Sequence, residues 1–184
     1  MNRIDALRAN YARYASLPWD SSLPGQQRIW FGVYDPADER KLRLRLPGFE
    51  IATREAGHGW RRCDLTDAFA LWMAGQDYRE AYFESPEDLG CPHPDFERFV
   101  AERLRSALEA ADERTVVAVH GVATLFGFMK VSRLMELVQD AVQGRLLVFF
   151  PGEYANNNYR LLDAGDGWNY HAVPITAATE MEGA

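Results

Sequence analysis

Asp35 and Asp64 each stand at the end of a short run that reads as a strand, and Asp67 follows three residues after the second. Carboxylates gathered at the carboxyl ends of parallel strands, where such sheets bind their ligands, could hold a divalent cation and activate water for hydrolysis. Asp67 is explained as well by the first turn of a helix, whose dipole favours negative charge. A metal-dependent hydrolase is therefore the weakest of the functional readings. Phosphate cleavage would require a loop of the form G-x-x-x-x-G-K-[ST]. The nearest glycine-bounded segment, Gly121 to Gly127, encloses Val, Ala, Thr, Leu and Phe and continues as Phe128-Met129-Lys130. A dinucleotide fingerprint is also missing. Cys63, Cys91 and His93 carry zinc-type donors, but without a C-x-x-C pair they read as buried or incidental side chains. His58, His120 and His171 form no HExxH pair and read as core or surface histidines. Ser106 and Ser132 lie within apolar helical patterns, and no G-x-S-x-G elbow occurs. The residues imply no enzyme, no metal and no cofactor.

Binding is better served. The densest polar and aromatic stretch runs from Pro151 through Gly152 and Glu153 to Arg160, directly after a buried strand. Its asparagines suit turns, because the short amide bonds nearby backbone and tolerates left-handed conformations. The competing reading is a partner-binding loop of Glu153, Tyr154, Asn156, Asn157, Asn158, Tyr159 and Arg160. Its tyrosines and arginine would be the anchors, since those residue types dominate interface energetics. A second candidate surface is basic: Arg40, Lys41, Arg43, Arg45, Arg61 and Arg62 could neutralise the phosphates of a nucleic acid.

The elements that must position these groups follow from periodicity. Ile4, Leu7, Tyr11 and Tyr14 predict a helix of about fifteen residues stopped by Pro18. Ile29 to Tyr34 predicts a strand, and Asp35-Pro36 a helix start. That helix, carrying four of the cations, is expected to end before Pro47-Gly48, after which Phe49, Ile51 and Thr53 alternate as a second strand would. Trp60 to Leu65 predicts a third strand, with Thr66 or Asp67 capping the next helix. An acidic helical piece over 77–84 leads to a connection holding Pro86, Pro92 and Pro94. Phe96, Phe99, Val100, Leu104, Ala107, Leu108 and Ala111 mark the clearest amphipathic helix. Val116 to Val119 and Leu146 to Phe150 read as strands covered on both faces, joined by a helix with Val131, Leu134, Met135 and Val138 and closed by Gly144. A last strand falls near Tyr170 to Pro174. Together these give an α/β three-layer sandwich with a mainly parallel central sheet, RecA-like or Rossmann-like without a phosphate-binding loop. Residues 1–176 form one domain and 177–184 a fraying tail.

At 184 residues, with 47% hydrophobic and 26% charged side chains, the chain is sized for one core. A net charge of −7 opposes whole-protein attachment to nucleic acid or anionic lipid. The charge is unevenly spread. Eight Lys/Arg face five Asp/Glu between Arg28 and Arg62, whereas seven acids face only Arg79 between Asp77 and Glu97. Two cysteines, no secretory pattern and no bilayer-length apolar run point to a reducing, cytoplasmic setting without a membrane segment.

Four blocks resemble the BrxB family of BREX bacteriophage-exclusion systems: RIWFGVYDPADER (28–40), AGHGWRRCDLTDAFALWM (56–73), YFESPEDL (82–89) and the region from Gly144 to Tyr170. The resemblance spans nearly the whole chain and is carried above all by VFFPGEYANNNYRLL (148–162) and Gly167-Trp168-Asn169-Tyr170. It implies a non-catalytic adaptor in a defence complex. Its partners would be the ATPase, methyltransferase or phosphatase-like components, with DNA contact as the alternative and a homodimer compatible with both.

Overall fold

A computed structural model describes residues 1–90, 93–162 and 167–178. Helix α1 spans Arg3–Ser16, capped by Asn2, whose side chain accepts from the Asp5 amide at 2.9 Å. Strand β1 (Ile29–Tyr34) is buried along its whole length. After Asp35, whose carboxylate accepts from the Ala37 amide, a single 3-10 turn leads into α2 (Glu39–Glu55).

Helix α2 corrects the expectation of a strand over Phe49, Ile51 and Thr53. It runs straight through Pro47. Leu42, Leu46, Phe49 and Thr53 recur at i, i+4, i+7 and i+11 and form one buried face. The Thr53 hydroxyl donates to the Phe49 carbonyl at 2.8 Å and meets the Tyr11 hydroxyl at 2.5 Å. Pro47 removes one backbone donor at an exposed position. Burial of four side chains on the opposite face outweighs that loss.

Strand β2 (Gly59–Asp64) is followed by short helices α3 (Ala68–Ala74) and α4 (Arg79–Glu84), then by α5 (Pro94–Glu109), β3 (Thr115–His120) and α6 (Val131–Val138). Strand β4 (Arg145–Ala155) is longer than expected, and β5 (Asn158–Leu161) and β6 (Val173–Ile175) complete the sheet. The strand order is β2-β3-β4-β1-β6, all parallel, with β5 pairing antiparallel to the end of β4.

Alternation along the strands divides the core into two. Phe31, Val117, Val119, Val148 and Phe150 face α3, α5 and α6, whereas Trp30, Val116, Ala118, Leu147 and Phe149 face α1 and α2. The fold is the expected three-layer α/β sandwich. The helices after β1 and those after β2 and β3 lie on opposite faces, so the loops leaving the sheet diverge and open a crevice at its carboxyl edge. Among the described residues, no helix is long and apolar enough to cross a membrane. Of the expected tail, Ala177 and Ala178 form a turn, and 179–184 lie outside the described residues.

Candidate functional site

The crevice is a cleft of about 190 Å³ bounded by Pro36, Glu39 and Arg43 after β1, Thr66 after β2, Gly121, Ala123 and Thr124 after β3, Pro151 on β4, and Leu162. Gly121 makes it possible. Its φ of +81° is the left-handed region, and a Cβ there would lie 2.5 Å from the Thr66 amide nitrogen.

The polar side chains in and beside the cleft bond one another in a chain. The Tyr34 hydroxyl donates to Glu39, and Glu39 accepts from Arg43 Nε at 2.8 Å. Arg43 also donates to the Thr66 hydroxyl at 3.0 Å, and Asp64 accepts from both the amide and hydroxyl of Thr66, at 2.9 and 2.5 Å. Burial pushes the Asp64 carboxyl up, but the two Thr66 bonds, with Arg43 beyond them, outweigh it and hold the carboxyl below its usual range. Burial drives the Tyr34 hydroxyl well above its usual value, reinforced by Glu39.

His120 joins this chain from β3, because β2 and β3 pair in the register Asp64↔His120. Its ring is buried, with Nε2 at 3.1 Å from Arg62 Nη2 and Nδ1 at 3.6 Å from Asp64 Oδ1. Arginine only donates, so Nε2 accepts and the imidazole is neutral with its proton on Nδ1. That nitrogen is buried with no partner at hydrogen-bond distance, so Asp64 acts on it as a nearby charge. Burial lowers the His120 pKa. The arrangement holds an imidazole in one tautomer and leaves its basic nitrogen occupied.

The three aspartates do not converge. Asp35 pairs with Arg3 at 3.4 Å, Asp64 is engaged by Thr66, and Asp67 is exposed at the start of α3. Among the described residues, no group of three or more His, Cys, Asp or Glu side chains is placed to share a metal ion. Cys63 is buried, its thiol pushed up to about 11 by desolvation. His93 caps α5 by accepting from the Asp95 amide, and Cys91 lies outside the described residues.

The stretch 151–160 is a hairpin rather than a loop. Strand β4 leaves the parallel sheet after Pro151, the last residue paired with β1, and pairs with β5 from Gly152↔Leu161 to Ala155↔Asn158. Asn156 and Asn157 form the two-residue turn with φ of 52° and 62°. Left-handed φ at both positions is the turn whose twist matches paired strands, and asparagine tolerates it best after glycine. Gly152 is required because a Cβ would lie 2.0 Å from the Arg160 carbonyl oxygen.

No family model, curated protein or solved structure matches this chain.

Among the candidate binding residues, Glu153, Asn156, Asn157, Asn158 and Arg160 are exposed and Tyr154 is half-buried. Tyr159 is different: it is 0% exposed, and its hydroxyl donates to the Ala172 carbonyl at 2.8 Å. Its ring packs with Phe31, Phe150 and Trp168. It anchors the hairpin to the core instead of presenting itself to a partner. Trp168 and Tyr170, from the second distinctive motif, join the same aromatic cluster.

The six basic candidates are also separated. Lys41 pairs with Asp38 at 2.8 Å, Arg43 with Glu39 and Arg45 with Asp5 at 3.4 Å. Arg62 is engaged by His120, and Arg61 stands exposed beside it on edge strand β2. Arg40 lies on the outward side of α2. Sequence reasoning missed Tyr34, Glu39 and the pairing of Asp64 with His120.

Proposed function

We propose that this protein is a non-catalytic assembly component that docks partners through the β4–β5 hairpin. One observation carries the reading. Strand β4 does not stop at the carboxyl edge of the sheet but continues through Ala155 into a hairpin braced by the buried Tyr159. Preorganised backbone lowers the ordering cost of binding, and exposed amide, carboxylate, guanidinium and phenol groups on it suit a polar interface. The mutual hydrogen bonding of Tyr34, Glu39, Arg43, Thr66 and Asp64 supports the same view, because those groups are engaged with each other. The resemblance to the BrxB family suggests the setting: a cytoplasmic phage-defence complex with ATPase, methyltransferase or phosphatase-like partners.

Co-expression of the whole defence operon with a tagged copy of this chain tests the proposal. The native protein should recover at least one neighbouring gene product. The combined Glu153→Lys, Asn158→Ala and Arg160→Glu variant should lose it while melting within a few degrees of native, since all three positions are exposed and exposed substitutions cost little stability. A folded native chain that recovers no neighbouring product would refute the adaptor reading.

A further inference from the structure

Two exposed surfaces of opposite charge lie on opposite layers of the sandwich. On the outward face of α2, Leu44 is 73% exposed and Ile51 56%, whereas Leu42, Leu46 and Phe49 of the same helix are buried. They stand seven residues apart, two helical turns along one face. Arg40 lies one turn before Leu44, and Arg54, paired with Glu50, follows Ile51. The result is an apolar stripe with a cation, Arg40, at its N-terminal end, on a helix whose five Lys/Arg outnumber Glu39, Glu50 and Glu55.

The second surface is the arm formed by α4 and the 3-10 turn Pro86–Leu89. Neither element contains a fully buried residue. Half-buried Tyr82 and Leu89 tether it to the core shared by α3, α5 and α6. Tyr78 is 74% exposed and Phe83 67%. Around them stand Asp77, Glu80, Glu84, Glu87 and Asp88, none of which forms an ion pair among the described residues. Elsewhere acids are commonly matched, as Asp5, Asp38, Glu39 and Asp140 are.

Large aromatic side chains are not left in water among unmatched like charges without consequence, because exposed apolar groups ringed by charge mark contact surfaces. The arm is attached to one face of the sheet and α2 covers the other, so the two surfaces cannot meet within one molecule. We propose that the protein associates head to tail with further copies of itself, the α2 stripe of one copy receiving the acidic aromatic arm of the next. Two α2 helices facing each other would instead bring together two helices of net positive charge. A contact between two different surfaces leaves one of each free, so it propagates into a ring or an open chain of copies. It uses no residue of the hairpin and stands or falls separately from the adaptor reading.

Sedimentation velocity of the purified full chain over about a hundredfold concentration range tests this, at low and at high salt. Species beyond a dimer should form at low salt and recede by roughly tenfold in apparent affinity at high salt, as screening weakens the charged rim. Two variants then separate the surfaces: Leu44→Asp with Ile51→Asp, and Tyr78→Lys with Phe83→Lys. Each alone should be a folded monomer, with a melting curve like the native one. Mixed in equal amounts they should form a dimer and nothing larger, because each retains the one surface the other lacks. A native chain that stays monomeric at low salt throughout overturns the proposal. So does either variant self-associating like the native protein, or a mixture in which no dimer appears.

Discussion

Tyr159→Phe removes one oxygen atom and discriminates between a core residue and a surface anchor. The hydroxyl donates to the Ala172 carbonyl at 2.8 Å, and both residues are buried. Phenylalanine would keep the ring contacts with Phe31 at 4.7 Å and Trp168 at 5.3 Å. The loss is therefore confined to a carbonyl left buried without its donor, which costs about 1–3 kcal/mol. For a domain of this size each kcal/mol moves the melting temperature by roughly 2–4 °C, so a cost of about 2 kcal/mol predicts a fall of about 4–8 °C. Tyr154→Phe is the matched control. Its hydroxyl bonds only Asn157 Oδ1, at 3.2 Å in an exposed setting, and its loss should stay within about 0.5 kcal/mol. Thermal unfolding followed by circular dichroism reads both, and urea titration with an unchanged slope would place the effect in the native state. If Tyr159→Phe melts within about 1 °C of the native protein, or if Tyr154→Phe loses as much, the assignment of Tyr159 to the core is refuted.

Pro47→Ala should raise stability, because alanine restores a donor inside α2 at an exposed position; a gain of about 1–2 kcal/mol is expected by urea denaturation, and a loss would mean that the proline ring packs usefully. The pH profile is set between neutral and mildly acid by the histidines. Burial, with Arg62 and Arg43 adding and Asp64 and Glu39 opposing, lowers the His120 pKa in the folded chain, whereas an unfolded histidine takes a proton near pH 6.5. Stability is thus fully present above about pH 6.5 and declines as pH falls from there through the depressed folded value, by at most about 1.4 kcal/mol per pH unit for one group. His58 is shifted in the same direction, again chiefly by burial. His120→Gln should therefore flatten part of the slope below about pH 6.5, and His58→Gln a further part; an unchanged slope in His120→Gln would show that the ring takes its proton freely when folded.

What could be read from the chain, and what could not, divides along the distance over which each signal acts. The helix at Phe96 to Leu108 and the buried strands β3 and β4 were legible because one segment contains both the pattern and its cause. Over α2 two local signals conflict. Pro47-Gly48 is a strong turn dipeptide, while Leu42, Leu46, Phe49 and Thr53 keep helical period across it. The period prevails because the buried face packs against α1 and the sheet, a tertiary gain that no dipeptide reports. The hairpin lay half in view: Asn156-Asn157 is turn chemistry, but Pro151 hides the continuity of β4. Proline fits there because its missing donor falls where pairing to β1 ends and pairing to β5 begins. The candidate site was the least legible. Tyr34, Glu39, Arg43, Arg62, Asp64, Thr66 and His120 come from three separate stretches of chain, and the Asp64 to His120 approach depends on the register of β2 against β3. A shift of that register by one residue would turn Arg62 and Asp64 to the face of α3, α5 and α6, leave His120 on the face of α1 and α2, and break its contacts with both. Side-chain periodicity assigns a residue to a face but carries no information on which residue of a neighbouring strand lies beside it, so the polar chain at the carboxyl edge becomes visible only once the strands are paired.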